Sequence, residues 1–176
     1  MYHLGEFLLH WYFHRNKDFR ALLISPAYLL AQALCLAEWF WGKSSALRWS
    51  DDALPVIGIV GLSGSILGLI IRFTAIMTAG VAFTHQIQES RREEHELVQK
   101  GLYRYFRHPG YLGWMIWVLS SQVLLGNTLC LMLFSLWTWW YFRLRISYEE
   151  DKLVAFFGES YRAYRKSTPS GIPLIP

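Results

Sequence analysis

Arg145 and Glu149 stand one helical turn apart, just past a run of 34 residues (109–142) that carries no charge. As a helix-stabilising pair they are in the weaker order, because Arg precedes Glu. An exposed pair of this kind contributes only about 0.3 kcal/mol. Charge at the edge of so apolar a run is costly enough to imply a function. A guanidinium offers two parallel N–H groups to a carboxylate.

Other reactive types gather in two segments, 85–111 and 143–173. In Arg107-His108-Pro109, proline suits a first helical turn, and His108 is placed as a helix cap or as a ligand-facing group. Glu93-Glu94-His95-Glu96 reads alone as a solvated charged run; it is not HExxH, so a zinc protease is not indicated. His10 and His14 share an i,i+4 face that suits an interfacial helix better than a metal pair. Cys35 and Cys130 lie in apolar runs, make neither a disulfide framework nor a zinc site, and are expected as small buried hydrophobes. No metal is expected. Neither a dinucleotide-binding glycine motif nor a Walker loop is present, and no Ser-His-Asp spacing. Nucleic acid is a poor partner, because the basic residues are balanced locally by acidic ones.

The elements that carry these residues follow from composition. Hydrophobic residues make up 53% of the 176, charged residues 17%, and mean hydropathy is +0.21. Soluble domains carry about 25% charged residues, so this chain is expected in a membrane. Apolar runs at 21–41, 53–71 (resuming after Arg72) and 109–142 are the candidate spans. Spanning takes about 20 residues, so the third run is too long for one helix. Gly126-Asn127 divides it with turn chemistry, which predicts a tight hairpin over 109–146. The fold class expected is all-α: a polytopic membrane helix bundle with about four spanning helices (21–41, 54–78, 109–125, 128–146). An interfacial N-terminal helix and a cytosolic C-terminal helix complete it. Residues 1–176 form one domain, with the catalytic part mainly at 78–176. No basic region precedes the first apolar residues, so insertion is expected to use an internal helix.

Fourteen of the 17 basic residues fall on one side of this topology and two on the other, with Arg72 unassigned. That asymmetry puts both termini and loop 84–108 in the cytosol. The short hairpin turn then brings 85–111 and 143–173 to one membrane face. Gly58, Gly61, Gly64 and Gly68 line one face of the second span, suited to close packing in the bundle or, alternatively, to a homodimer seam.

The run Gly101 to Trp114, with Arg107-His108-Pro109-Gly110-Tyr111-Leu112-Gly113, resembles the signature of isoprenylcysteine carboxyl methyltransferases. So does the tail: Arg145, Glu149-Glu150, Leu153, Phe156-Phe157-Gly158, Tyr161, Tyr164, Pro169, Gly171 and Pro173. Thr78-Ala79-Gly80, Phe83, His85, Gln88 and His95-Glu96-Leu97-Val98 fit as well, and Gly5-Glu6-Phe7 and Ala27-Tyr28 resemble the eukaryotic branch. Many animal members carry extra helices ahead of the region matching residue 1, and relatives often place Pro after Asn at the hairpin turn, where this chain has Asn127-Thr128.

The resemblance implies transfer of methyl from S-adenosylmethionine to the C-terminal carboxylate of prenylated cysteine in processed CaaX proteins, Ras-like GTPases among them, at the endoplasmic reticulum. It implies that Gln88, His95, Glu96, Leu97, Val98, Tyr103, His108, Pro109, Gly110, Tyr111 and Glu149 hold S-adenosylmethionine. Arg145 holds the prenylcysteine carboxylate. Trp114, Trp117, Trp137 and Phe142 are candidates for a prenyl channel or for interface packing. An NADPH-dependent sterol-type reductase and a non-enzymatic membrane relative are the alternatives. The paired Glu149-Glu150 and the His95 to Val98 segment weigh against the first, and the presence of the donor-binding positions weighs against the second.

Overall fold

The computed structural model describes residues 2–15, 19–42, 49, 53–90 and 96–176. Among them every regular element is helical: α1 (Tyr2–His14), α2 (Pro26–Gly42), α3 (Leu54–Ala79), α4 (Pro109–Leu125), α5 (Thr128–Phe157) and α6 (Glu159–Ser167), with short 3-10 turns at Phe19–Leu22, Gly80–Ala82 and Gly101–Arg104. The loops that hold Lys17, Lys43, Arg48, Arg91 and Arg92 lie outside the described residues.

The apolar run at 21–41 is not one helix, contrary to the sequence expectation. Its first residues form a 3-10 turn, Leu23 has φ +56°, and α2 starts at Pro26. Proline fixes the first helical φ and donates no N–H, so Ser25-Pro26 is a natural start; Ser25 Oγ accepts from Tyr28 N at 3.1 Å. The resulting 17 residues rise about 26 Å, short of the roughly 30 Å hydrocarbon core. Among the described residues one helical stretch, Leu54–Ala82, is long and apolar enough to cross a membrane by itself.

The hairpin forms as expected. Gly126 closes α4 at φ +72°, a left-handed conformation that glycine adopts without strain. Asn127 precedes α5, which runs without a break for 30 residues, well beyond 146. At 1.5 Å per residue it is about 45 Å long, so its C-terminal third outreaches a bilayer core of about 30 Å. Glu149 and Glu150 lie in that third, and Arg145 just before it.

Helix α4 packs most intimately on α3, and small residues are the reason. A Cβ on Gly68 would sit 2.5 Å from Trp117 N, and one on Gly113 would sit 2.5 Å from Arg72 N. Gly61 and Gly64 meet Leu124 and Ser120 in the same way. The glycine face of α3 is thus occupied within the chain, which decides for bundle packing over a dimer seam at these positions. Gly58 faces open space.

Helix α1 does not merely lie at the edge of the bundle. Glu6 is buried against Arg72 of α3, and Tyr2 stacks on Trp117 of α4 at 4.2 Å. Elsewhere the bundle's outer surface is strongly apolar: Leu136 is 72% and Trp137 71% exposed, with Leu30, Phe40, Ile59 and Ile70 also outward. Water would not tolerate such a surface, whereas lipid tails cover it at no cost.

Candidate functional site

The buried core at one end of the bundle is built on Phe142 and Ile146 of α5 and Ile172 of the tail, with Tyr111 and Trp114 of α4 packed against them. Tyr111 stacks on Phe142 at 4.9 Å and on His108 at 5.5 Å. Two stacked neighbours therefore hold its ring, and its hydroxyl is aimed. The hydroxyl donates to Glu149 Oε2 at 2.5 Å and accepts from Arg145 Nε at 2.8 Å. The two residues singled out by their spacing are thus joined through a tyrosine of the facing helix. Arg145 also donates from Nη1 to Tyr141 Oη at 3.2 Å and from Nη2 to the carbonyl of His85 at 2.6 Å.

The segment after α3 straps across α5 at this point. Tyr148 Oη donates to Glu89 Oε1 at 2.6 Å and Lys152 Nζ to Glu89 Oε2 at 2.5 Å. Hydrogen bonds from Lys152 and Tyr148 hold the Glu89 carboxyl below its usual range.

Beneath the strap is a cavity of about 140 Å³. Eight of the residues expected to hold the methyl donor line it: Glu96, Leu97, Val98, Tyr103, His108, Gly110, Tyr111 and Glu149. Pro109 is fully buried at the start of α4, beside the lining. Gln88 does not join it; its Nε2 donates to the carbonyl of Gln86 at 3.2 Å. His95 lies outside the described residues. Of the aromatic candidates, Trp114 and Phe142 sit beside Tyr111, Trp117 is covered by Tyr2, and Trp137 points outward.

His108 makes no side-chain cap for α4. Its Nε2 instead donates to Glu150 Oε1 at 3.1 Å, because a buried carboxylate stands across the helix interface. Arg107 binds the same oxygen from Nε at 2.7 Å and from Nη2 at 2.6 Å, and Arg165 Nε reaches Glu150 Oε2 at 3.0 Å. Burial pushes the Glu150 carboxyl up, but the hydrogen bonds and charges of His108 and Arg107 prevail and hold it below its ordinary value.

Arg107 also donates to the carbonyls of Arg165, Thr168 and Pro176, while its own N–H and that of His108 bond Pro169 and Ser170. The tail is thereby tied under the first turn of α4. The sequence reading left Arg107 and Glu150 out of the site, although both stand in the quoted motifs. Their adjacency to His108 and Glu149 was the only signal.

The lining also includes Phe83, Leu153, Phe157, Tyr161 and Tyr164, which the sequence reading did not assign. Tyr164 Oη donates to the carbonyl of Tyr103, and burial, opposed by Arg107, pushes its phenol up to about 12. Tyr161 Oη is buried and has no hydrogen-bond partner among the described residues.

This lining fits S-adenosylmethionine in kind. Glu149 and Glu96 suit its cationic end, the apolar Leu97, Val98, Phe83 and Leu153 suit a purine, and Tyr161 offers an unused phenolic donor. A buried orphan donor costs about 1–3 kcal/mol unless something completes it.

The description of the isoprenylcysteine carboxyl methyltransferase family matches residues 59–155. The chain is 40% identical to the protein-S-isoprenylcysteine O-methyltransferase of Schizosaccharomyces pombe, over 100% of this chain and 80% of that protein. It is 36% identical to the enzyme of the same name from Dictyostelium discoideum, over 99% of this chain and 73% of the relative. Among solved structures it resembles a eukaryotic intramembrane Ras methyltransferase, an isoprenylcysteine carboxyl methyltransferase, with TM-score 0.91 and 36% identity. That match covers 99% of this chain and 63% of the solved one.

Proposed function

Because the chain belongs to the isoprenylcysteine carboxyl methyltransferase family, we propose that it methylates the C-terminal carboxylate of prenylated cysteine in processed CaaX proteins. The methyl donor is S-adenosylmethionine, and the chain works as a multi-pass protein of the endoplasmic reticulum with its site and both termini cytosolic. The observation that carries this reading is the Tyr111 hydroxyl, which joins Arg145 to Glu149 at the rim of the cavity.

When bound, S-adenosylmethionine supplies a methyl group activated by a sulfonium charge. The carboxylate acceptor is already ionised at neutral pH, so the protein needs no general base. Its task is placement and exclusion of water. Arg145 grips the carboxylate with its guanidinium, exchanging the carbonyl of His85 and the Tyr141 hydroxyl for the substrate. Glu149 and Glu96 face the donor's cationic end, and apolar residues around 97–98 and 153–157 exclude water. Tyr111 fixes the distance between the two ligand positions. Trp114 and Phe142 continue from Tyr111 towards the bilayer, where a prenyl chain can lie. A Ras-like client delivers that chain from the membrane, which suits a cleft between cytosol and lipid.

The test is incubation of the full chain in detergent micelles with methyl-tritiated S-adenosylmethionine and N-acetyl-S-farnesylcysteine. Radioactivity in a base-labile methyl ester is the expected result, with thermal stabilisation by S-adenosylhomocysteine. No ester, together with stabilisation by NADPH instead, overturns the reading in favour of a reductase.

A further inference from the structure

Arg72 is a charged residue within the most apolar helix of the chain, and it is 5% exposed. A charge there is expensive and marks a function by default. Its partner is Glu6 of α1, 66 positions earlier and 1% exposed. The pair is two-pronged: Nε donates to Glu6 Oε1 at 2.6 Å and Nη2 to Glu6 Oε2 at 3.1 Å.

A pin between two helices would need nothing more, yet each partner has a further contact directed at the site. Arg72 Nη1 donates to the carbonyl of Gly110 at 3.2 Å, in the first turn of α4. The next residue is Tyr111. Glu6 Oε2 lies 3.6 Å from His85 Nε2, and the backbone carbonyl of His85 is what Arg145 Nη2 grips. The Arg72 guanidinium also lies 5.0 Å over the ring of Phe83, which lines the cavity. One buried ion pair therefore touches both walls: the α4 turn that presents Tyr111 and the strap that backs Arg145.

We infer that Glu6 and Arg72 are positioning residues for methyl transfer, setting the two ligand-holding walls in register from behind. The inference rests on the proposed function. Neither residue reaches the cavity, and both act through Gly110, Phe83 and His85. Loss of register penalises the chemical step more than the binding of either ligand alone, since a misplacement of about 1 Å can cost about 100-fold in rate.

Three forms of the full chain in detergent separate positioning from simple pinning: wild type, Arg72→Lys, and Glu6→Gln/Arg72→Met. Lysine keeps a charge for Glu6 but has no planar fork to reach Gly110 at the same time. The double variant removes both charges, so no unpaired charge is left buried. Melting temperature, affinity for S-adenosylhomocysteine and turnover of farnesylcysteine are measured for each.

The expected result is near-native melting and donor-product affinity within about threefold, with kcat lowered about tenfold or more in both variants. Variants that fold and turn over within about twofold of wild type overturn the inference, leaving the pair a structural pin. Should neither hold its melting temperature, Glu6→Asp takes their place, since it keeps the charge pair but draws the guanidinium away from Gly110; the same two outcomes apply. A wild type that forms no ester rejects the proposed function itself, whereas an active wild type beside equally active variants rejects the positioning alone.

Discussion

The two ends of the α4–α5 hairpin both bury polar side chains, and they use them differently. At the turn, Asn127 is 1% exposed and donates to the Cys35 carbonyl at 3.0 Å and to Gln122 Oε1 at 3.2 Å. Cys35 Sγ reaches the same oxygen at 3.2 Å. Glu38 accepts the backbone N–H groups of Leu129 and Cys130, at 2.7 Å each, at the start of α5. Much of this polarity ends on backbone, where it satisfies helix ends.

A larger cavity, about 710 Å³, lies at this end among the described residues Leu34, Trp39, Trp41, Leu129 and Leu133. Among the described residues of its lining the only charged one is Glu38, whose carboxylate is spent on those N–H groups. At the other end the cavity is smaller, but charged side chains bind one another around it, and Arg145 is held by groups a carboxylate can displace. Size therefore says little about chemistry here. What marks the site is charged side chains paired with one another, as Arg107 is with Glu150 and Lys152 with Glu89.

This contrast can be broken from either end. The largest effect is expected from Arg107→Met, which removes one member of a buried charge cluster and unties the tail: about 3–5 kcal/mol of stability, read as a large fall in melting temperature. A variant that melts like wild type would show that the cluster is not structural. Tyr111→Phe keeps the stack on Phe142 but cuts the link between Arg145 and Glu149. Its expected cost is about 100-fold in kcat, or about 2.7 kcal/mol, at nearly native melting temperature.

Asn127→Ala should do the reverse. It is expected to lower stability by about 1–2 kcal/mol with kcat/KM of the folded fraction unchanged; a matching loss of turnover would mean that the two ends are not separable. The smallest effect is on pH dependence. Burial pushes His85 down to about 4, helped by Arg72, His10 and His14 and opposed by Glu6. The unfolded chain then binds the extra proton first, from about pH 6.5 downward, so stability contributed by neutral His85 is lost as pH falls from about 6.5 towards 4. Melting between pH 7.5 and 5.5 should fall less steeply in His85→Gln, and an identical slope would remove His85 from the account.

The hairpin was legible because its turn is local chemistry: Gly126 supplies the left-handed residue and Asn127 the buried amide. The pairing of Arg145 with Glu149 was legible because one helical turn joins them. The Tyr111 bridge was half legible, since the residue was named but not its place between the two. Arg107 with Glu150, 43 residues apart, and Arg72 with Glu6, 66 apart, were not legible as pairs. Such contacts are set by which helices pack, and a periodic apolar pattern does not encode that. The break at Ser25-Pro26 was visible in residue type, yet it was overridden by the continuous hydropathy of 21–41. Gln88 does not line the cavity, and its Nε2 bonds the Gln86 carbonyl within its own loop.

The central claim is that Arg145 holds the acceptor carboxylate while the donor is held by other residues. It is tested most directly by measuring S-adenosylhomocysteine affinity and farnesylcysteine turnover side by side in Arg145→Ala. The account predicts donor-product affinity close to wild type with turnover lowered at least about 1,000-fold. Turnover near wild type, or affinity for S-adenosylhomocysteine lost together with activity, would contradict it.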